Sequence, residues 1–399
     1  MVIARYALFL LLIVSFLSLG ACGNTVLRSQ AVPGNAHAVS DQAEVGAVPE
    51  ADAAVVLNLK QTLDIDRLIP ILTHQRVVFI GETHDNFAHH RAQLELIRSL
   101  HRAGADLAIG MEMFQQPFQS YLDDFVSGTI TEGDMLRGTE WYQRWVYDYR
   151  HYRPILQFAR EQGIPVIALN VPRELTGAIS EKGLEALDPQ QRSQLPAEFD
   201  FSDRDYSARL RTVFDQHAGG SGRSFERFEQ VQLAWDEGMA ETAADYLADN
   251  PGKQLVVLAG SGHLMHGSGI PNRVKRRQSV SSAIVLPGGD LRLQPGIADY
   301  VVFPKQEKLP PAALIGIYME ESEEGVRVSR LAENGAAAEA GIKPDDIILD
   351  FDGNPIRSTI DLRIGLLDRQ PGEKVSMTVL RRGLLFGEER VEMDVVLGQ

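Results

Sequence analysis

The feature that most restricts the fold is an alternation of continuous apolar runs with amphipathic stretches. The runs are "RVVFIGETH", "DLAIGMEM", "IPVIALNVPR", "QLVVLAGSGH" and "SAIVLP". Between them lie "HHRAQLELIRSLHRAG", "ILQFAREQG" and the long "FEQVQLAWDEGMAETAADYLAD". A strand that is apolar at every position must be buried on both faces, and the helices between strands supply that cover. The chain is therefore expected to be α/β, with a mostly parallel sheet covered by helices on both faces.

The runs end in similar chemistry. The first closes in Gly81-Glu82-Thr83-His84, the second in Gly110-Met111-Glu112-Met113, the third in Asn170-Val171-Pro172-Arg173, the fourth in Gly260-Ser261-Gly262-His263. In open α/β sheets the carboxyl ends of the strands line the ligand crevice. Glu82, His84, Glu112 and His263 are two carboxylates and two imidazoles, a set that suits either a divalent metal or acid–base catalysis. Asn170 and Arg173 are placed to hold an anionic group, and so is a helix opening near Asn86. Unconnected capping residues would give the same tips without a site. His89 and His90, at the start of that helix, read as surface residues.

A second unusual stretch is "WYQRWVYDYRHYRPIL", Trp141 to Leu156. It places two Trp and four Tyr beside arginines. A flat aromatic ligand with anionic arms suits both residue types. An aromatic helix lying over the sheet with its phenols in solvent would produce the same run.

Composition excludes other classes. The net charge is −15 over 399 residues, so no basic face suggests nucleic acid. The short run Lys275-Arg276-Arg277 reads as a solvated helix face. No HExxH, GxSxG, P-loop or CxxCH motif is present, and the last absence excludes c-type haem attachment.

The N-terminus has the form of a secretion signal, Arg5 followed by "YALFLLLIVSFLSLGA". It ends in Leu19-Gly20-Ala21-Cys22, which resembles a bacterial lipobox. That resemblance implies cleavage before Cys22 and its acylation. A transmembrane anchor is the alternative, but the apolar run is short for a span. Gly23 follows where Asp would favour the inner membrane, so the expected location is the bacterial cell envelope, lipid-anchored at the outer membrane and facing the periplasm. Cys22 is the only cysteine, so no internal disulfide can form. The expected organisation is a signal peptide over 1–22, a disordered tether over 23–52, an α/β domain over 53–304, a proline-rich linker over 305–313 and a small β-rich domain over 314–399.

Several blocks resemble one family in order: "GETHDNFAHHRAQLELI", "GMEMFQQPFQ", "YRPILQFAREQGIPVIALNVPRE", Val231 to Glu237 with Met239-Ala240, and "GSGHLMHGSGIPNRV". Together they are similar to the ChaN family of haem-binding lipoproteins over about Leu57 to Phe303. The resemblance implies haem binding linked to iron uptake, with haem at a homodimer interface and iron ligated by tyrosine. Tyr149, Tyr152 and Tyr206 are the candidate ligands, with Arg173, Asn170, His84 and His263 as further haem contacts. The tips also resemble the layout of erythromycin esterases and a group of metal-dependent proteases. There the matching positions, Glu82, His84, Glu112 and His263, would be catalytic or metal-binding. A metal-assisted or acid–base hydrolase is therefore the alternative, with a divalent ion as its cofactor.

The tail resembles a PDZ domain. "LIGIYME" is similar to its carboxylate-binding loop and strand, and the chain from Val326 to Gly383 follows the PDZ course. Asn334-Gly335-Ala336 and Asp345-Asp346 depart from the usual Ser-Pro-Ala and Gly-Asp. The resemblance implies capture of the C-terminal peptide of an envelope protein by Leu314, Ile315, Gly316 and Ile317. The linker is expected to let this module move separately.

Overall fold

The first strand, β1 (Val77–Glu82), is buried at every residue, and it stands inside a parallel sheet rather than at its edge. The computed structural model describes residues 62–218, 224–289, 291–383 and 387–399. The signal segment, Cys22 and the tether lie outside the described residues.

The other strands of the sheet are β2 (Leu107–Gln115), β3 (Val166–Asn170), β4 (Gln254–Gly260), β5 (Ser282–Pro287) and β6 (Tyr300–Val302). Their order is β3-β2-β4-β1-β5-β6, with every pairing parallel. Successive side chains point to opposite faces. Val78, Ile80, Ile109, Met111 and Leu258 enter one core, and Val77, Phe79, Ala108, Leu255 and Val257 enter the other. The first core is closed by α1 (Phe87–Arg102) and α3 (Arg153–Gln162), the second by α4 (Phe225–Asp249) and α5 (Ile270–Arg277). Helices thus cover both faces, as the continuous apolar strands require.

The order matters for function. The chain leaves β1, builds β2 and β3 outward, then returns to insert β4 between β1 and β2. Three strand ends that are far apart in sequence therefore open side by side.

The C-terminal region is a second sheet, antiparallel, of β7 (Ile317–Glu321), β8 (Val326–Leu331), β9 (Ile347–Phe351), β11 (Lys374–Gly383) and β12 (Gly387–Val396), with β10 (Asn354–Pro355) pairing β9. Strand β7 is an edge strand, and the helix α6 (Thr359–Leu366) lies beside it. The expected independence of this module meets a set of ties. Asp361 of α6 pairs with Arg137 of α2 (Glu132–Gly138) at 2.9 Å, Asp368 with Arg153 at 2.6 Å, and Arg150 donates to Pro310 O at 2.9 Å. Ile364 and Leu367 pack on the core of the sheet domain. Among the described residues, no helix is long and apolar enough to cross a membrane.

Candidate functional site

Glu82 is the last residue of β1, and the chain turns there into α1. Asn86 caps that helix by accepting from Ala88 N–H. The turn brings His84 back over the strand end, with Nδ1 2.6 Å from Glu82 Oε1. Tyr152 donates to the same oxygen at 3.2 Å. Glu82 Oε2 lies 2.8 Å from His90 Nδ1, but out of hydrogen-bonding alignment. Burial alone would raise the Glu82 carboxyl. The imidazoles of His90 and His84 outweigh it and hold the group far below the usual carboxylate range.

The second half of the site comes from β2 and β4. Strand β2 pairs with β4 as far as Met111, and an irregularity in its pairing with β3 follows. Glu112 sits at this break and accepts Gly260 N–H on Oε2 at 2.7 Å. A Cβ on Gly260 would lie 3.0 Å from His84 Cε1 and 3.2 Å from its Nε2, so a side chain there would crowd that imidazole. Past Gly260 a short turn carries His263, whose Nε2 is 3.5 Å from Glu112 Oε1 and whose Nδ1 is 2.6 Å from Asp236 Oδ1. Tyr206 donates to Asp236 Oδ2 at 2.6 Å. Burial would lower the His263 imidazole, but the carboxylates of Glu112 and Asp236 raise it to about 9. His84 moves up as well: burial opposes the shift, and the hydrogen bond to Glu82 and the charge of Glu112 drive it.

Glu82, His84, Glu112 and His263 thus form one buried cluster. Each imidazole in it already faces a carboxylate. Among the described residues, no group of three or more His, Cys, Asp or Glu is arranged to hold a metal ion. What the arrangement can do is hold or pass protons between imidazoles and the carboxylates that face them.

The other expected contacts fall differently. Asn170 is buried at the end of β3, where it donates to Glu112 O at 3.1 Å and leaves Oδ1 without a partner. Arg173 donates to Gln143 O, so it braces the aromatic segment. The three candidate tyrosines face inward. Tyr149 and Tyr152 are fully buried and Tyr206 is nearly so. Tyr149 donates to Glu132 at 2.7 Å. Burial, reinforced by neighbouring acids, raises all three phenols well above the ordinary value. None of the three presents its phenol at the surface. His89 and His90 are buried, not on the surface: His89 Nδ1 accepts Thr83 N–H, and His90 touches both Glu82 and the His84 carbonyl. The basic run is solvated at Lys275 and Arg276 and half-buried at Arg277, and its two arginines are also engaged. Arg276 and Arg277 join the buried Arg273 on Glu237, which is itself fully buried.

Sequence reasoning missed Asp236, Trp145 and Tyr147. Asp236 and Glu237 are adjacent acids in the buried middle of α4, a signal that could have been weighed. Trp145 and Tyr147 roof the cluster, their rings 5.0 and 4.8 Å from that of His84. Tyr147 is half-buried and reaches the surface, unlike the three tyrosines named above.

With this geometry in view, comparison with known proteins decides the family. The model of the family described as haem-binding uptake, Tiki superfamily, ChaN matches residues 68–274. The chain belongs to the ChaN family. Residues 313–397 match the PDZ domain model, and the second sheet is that domain. Among solved structures, ChaN of Campylobacter jejuni, titled for cofacial heme binding, matches with a TM-score of 0.51 and 18% identity. The match covers 61% of this chain and 93% of that one, and at this identity it speaks for the fold. Among curated proteins, the chloroplastic RETICULATA-RELATED 5 of Arabidopsis thaliana is 24% identical over 247 residues, 56% of this chain and 32% of its own length. The serine protease Do-like HtrB of Bacillus subtilis is 34% identical over 70 residues, 17% of this chain and 15% of its own. The chain therefore spans about a third or less of these curated relatives. In this ChaN-family chain the cluster occupies the end of the sheet, and the PDZ domain is docked beside it.

Proposed function

We propose that this protein binds haem on the Tyr142–Arg150 segment that roofs the strand-tip cluster, with Tyr147 as the iron ligand. The observation that carries this is the sorting of the tyrosines. Tyr149, Tyr152 and Tyr206 are buried and donate to carboxylates, whereas Tyr147 sits at the mouth. The residues present fit the group: a phenol is a hard oxygen donor for ferric iron, Trp145 and Tyr142 offer flat apolar surface, and Arg150 and Arg363 lie nearby for anionic arms. Bound haem would supply its iron as cargo or as a redox centre. The chain's own part is to hold it and to keep protons on His84 and His263 behind it. Burial, with Asp85, Glu112 and Glu82, pushes the free Tyr147 phenol upward, so the metal must displace its proton on binding.

Membership of a family described as haem-binding supports this reading. The lipobox at Cys22 supports a lipid-anchored protein of the bacterial envelope, at the outer membrane and facing the periplasm, that serves iron uptake, and the family leaves room for a homodimer. A hydrolase using the His84–Glu82 and His263–Asp236 pairs is the second reading, favoured by their burial and polarisation.

The test is an absorption titration of the protein with hemin. A ferric, tyrosinate-type spectrum is expected. It should be lost in Tyr147→Phe and kept in Tyr149→Phe, Tyr152→Phe and Tyr206→Phe. Survival of the spectrum in Tyr147→Phe would remove that ligand. No spectral change in any form, with hydrolysis abolished by His263→Gln, would move the assignment to the second reading.

A further inference from the structure

Between the two domains lies a cleft of about 320 Å³. Trp145, Val146 and Tyr147 of the sheet domain face Ala313, Arg363 and Leu366 of the PDZ side across it. The direction of the PDZ groove shows which part of a ligand would meet this cleft. Thr359, the first residue of α6, donates from N and Oγ1 to Glu321 Oε1 at 3.0 and 2.6 Å. Glu321 is the last residue of β7. Helix and strand therefore run antiparallel, and the Leu366 end of α6 lies by the start of β7. That start is the loop expected to capture a carboxylate.

The loop is built for capture, with one change from the expectation. Leu314 N–H is spent on Gly398 O at 3.0 Å, in an isolated bridge. Among the described residues, Ile315 and Gly316 N–H make no backbone bond. Gly316 holds a φ of +79°, and a Cβ on it would lie 2.9 Å from Gly335 Cα, so only glycine can make this turn. Ala332 N–H bonds Gly316 O, which leaves Ile317 opposite Leu331 as a non-hydrogen-bonded pair with its N–H toward the open edge. The side chain of Ile315 is 3% exposed and packs in the PDZ core, so it offers a ligand little surface, and residues around the cleft add further wall.

We infer that the cleft is a composite site in which the sheet domain reads the last residue of a C-terminal peptide bound along β7. The peptide runs antiparallel to β7, its carboxylate on the Ile315 and Gly316 N–H groups and its final side chain against Val146 and Leu366. Val146 is 51% exposed, with its apolar surface turned to this opening. Arg363 enters no ion pair among the described residues and stands over the Tyr142 ring at 5.4 Å, a cation available to the terminal charge. An anionic end with an apolar last residue is thus the occupant that fits both the cation and the walls.

The experiment titrates peptides ending in Val, Leu, Phe or Ala, as free acids and as amides, into the full chain in detergent without hemin. Binding is read by calorimetry and by tryptophan fluorescence, because Trp145 lines the cleft. The free acid of at least one peptide should bind, shift the fluorescence and lose affinity tenfold or more as the amide. Val146→Asp, a surface change, should weaken the free acid tenfold or more. An unchanged dissociation constant in Val146→Asp would overturn the composite site, as would binding with no fluorescence change or no binding by any free acid. Tyr147 is also the proposed iron ligand, so hemin should compete with the peptide. That clause rests on the haem assignment. Peptide affinity unaffected by bound hemin would overturn the Tyr147 ligand and not the hemin-free result.

Discussion

At the scale of single residues, the site is governed by charge held in apolar surroundings. His263 shows this most simply. Its folded value of about 9 lies above the ordinary 6.5, so protonation favours the fold. The stabilisation is fully present below 6.5 and is lost as pH rises through about 9, on the order of 3 kcal/mol in all. Denaturant midpoints of the hemin-free chain should therefore fall across this window, and His263→Gln should flatten the fall. Parallel curves for the two proteins would show that His263 gains no proton on folding. The four tip residues were legible because a strand with no use for an acid ended in one. The tyrosines were not. A phenol beside arginines looks solvent-seeking, yet Tyr149 and Tyr152 find Glu132 and Glu82 inside, and nothing in the run reveals those partners. His90 escaped for a related reason: the rotation of α1 over the sheet decides which of two adjacent histidines meets Glu82.

At the scale of elements, α4 and α5 are joined by a buried clamp. Glu237 is fully buried and accepts Arg273, Arg276 and Arg277 at 3.1, 2.6 and 2.8 Å. The arginines outweigh its burial and keep its carboxyl below the usual value. The clamp sits one residue from Asp236, so it also fixes the acid that orients His263. Removing one partner of a buried pair leaves the other charge uncompensated, at a cost of about 3–5 kcal/mol. Glu237→Gln should lose roughly that much by chemical denaturation, since Arg273 stays buried without its carboxylate. A loss under about 1 kcal/mol would mean that water reaches the arginines. The helices themselves were visible in their amphipathic period. Which helix faces met was not, because that depends on a strand order that sequence alone does not give.

At the scale of the whole molecule, the chain joins a ChaN-family sheet domain to a PDZ domain, and the membrane anchor at Cys22 is a proposal. The PDZ domain was legible from its strand pattern. Its docking was not, because nothing in the sequence pairs Asp361 with Arg137 of α2 or Asp368 with Arg153 of α3. The anchor is tested separately. With Cys22 replaced by Ser, the chain should stay unprocessed and take up no palmitate label. Normal labelling of that variant would exclude Cys22 as the acylated residue.

The late insertion of β4 has a consequence for synthesis. Strands β1 and β2 emerge from the ribosome early, yet neither pairs with the other; both wait for residues 254–260. Until then two of the most apolar segments of the chain have exposed edges facing a gap, the condition under which nascent proteins associate wrongly. Long-range pairing of this kind is also slow to form. A premature stop before Gln254 would thus yield an aggregating fragment rather than a smaller working protein, and the cell's holding chaperones should find their longest engagement with this chain in that interval.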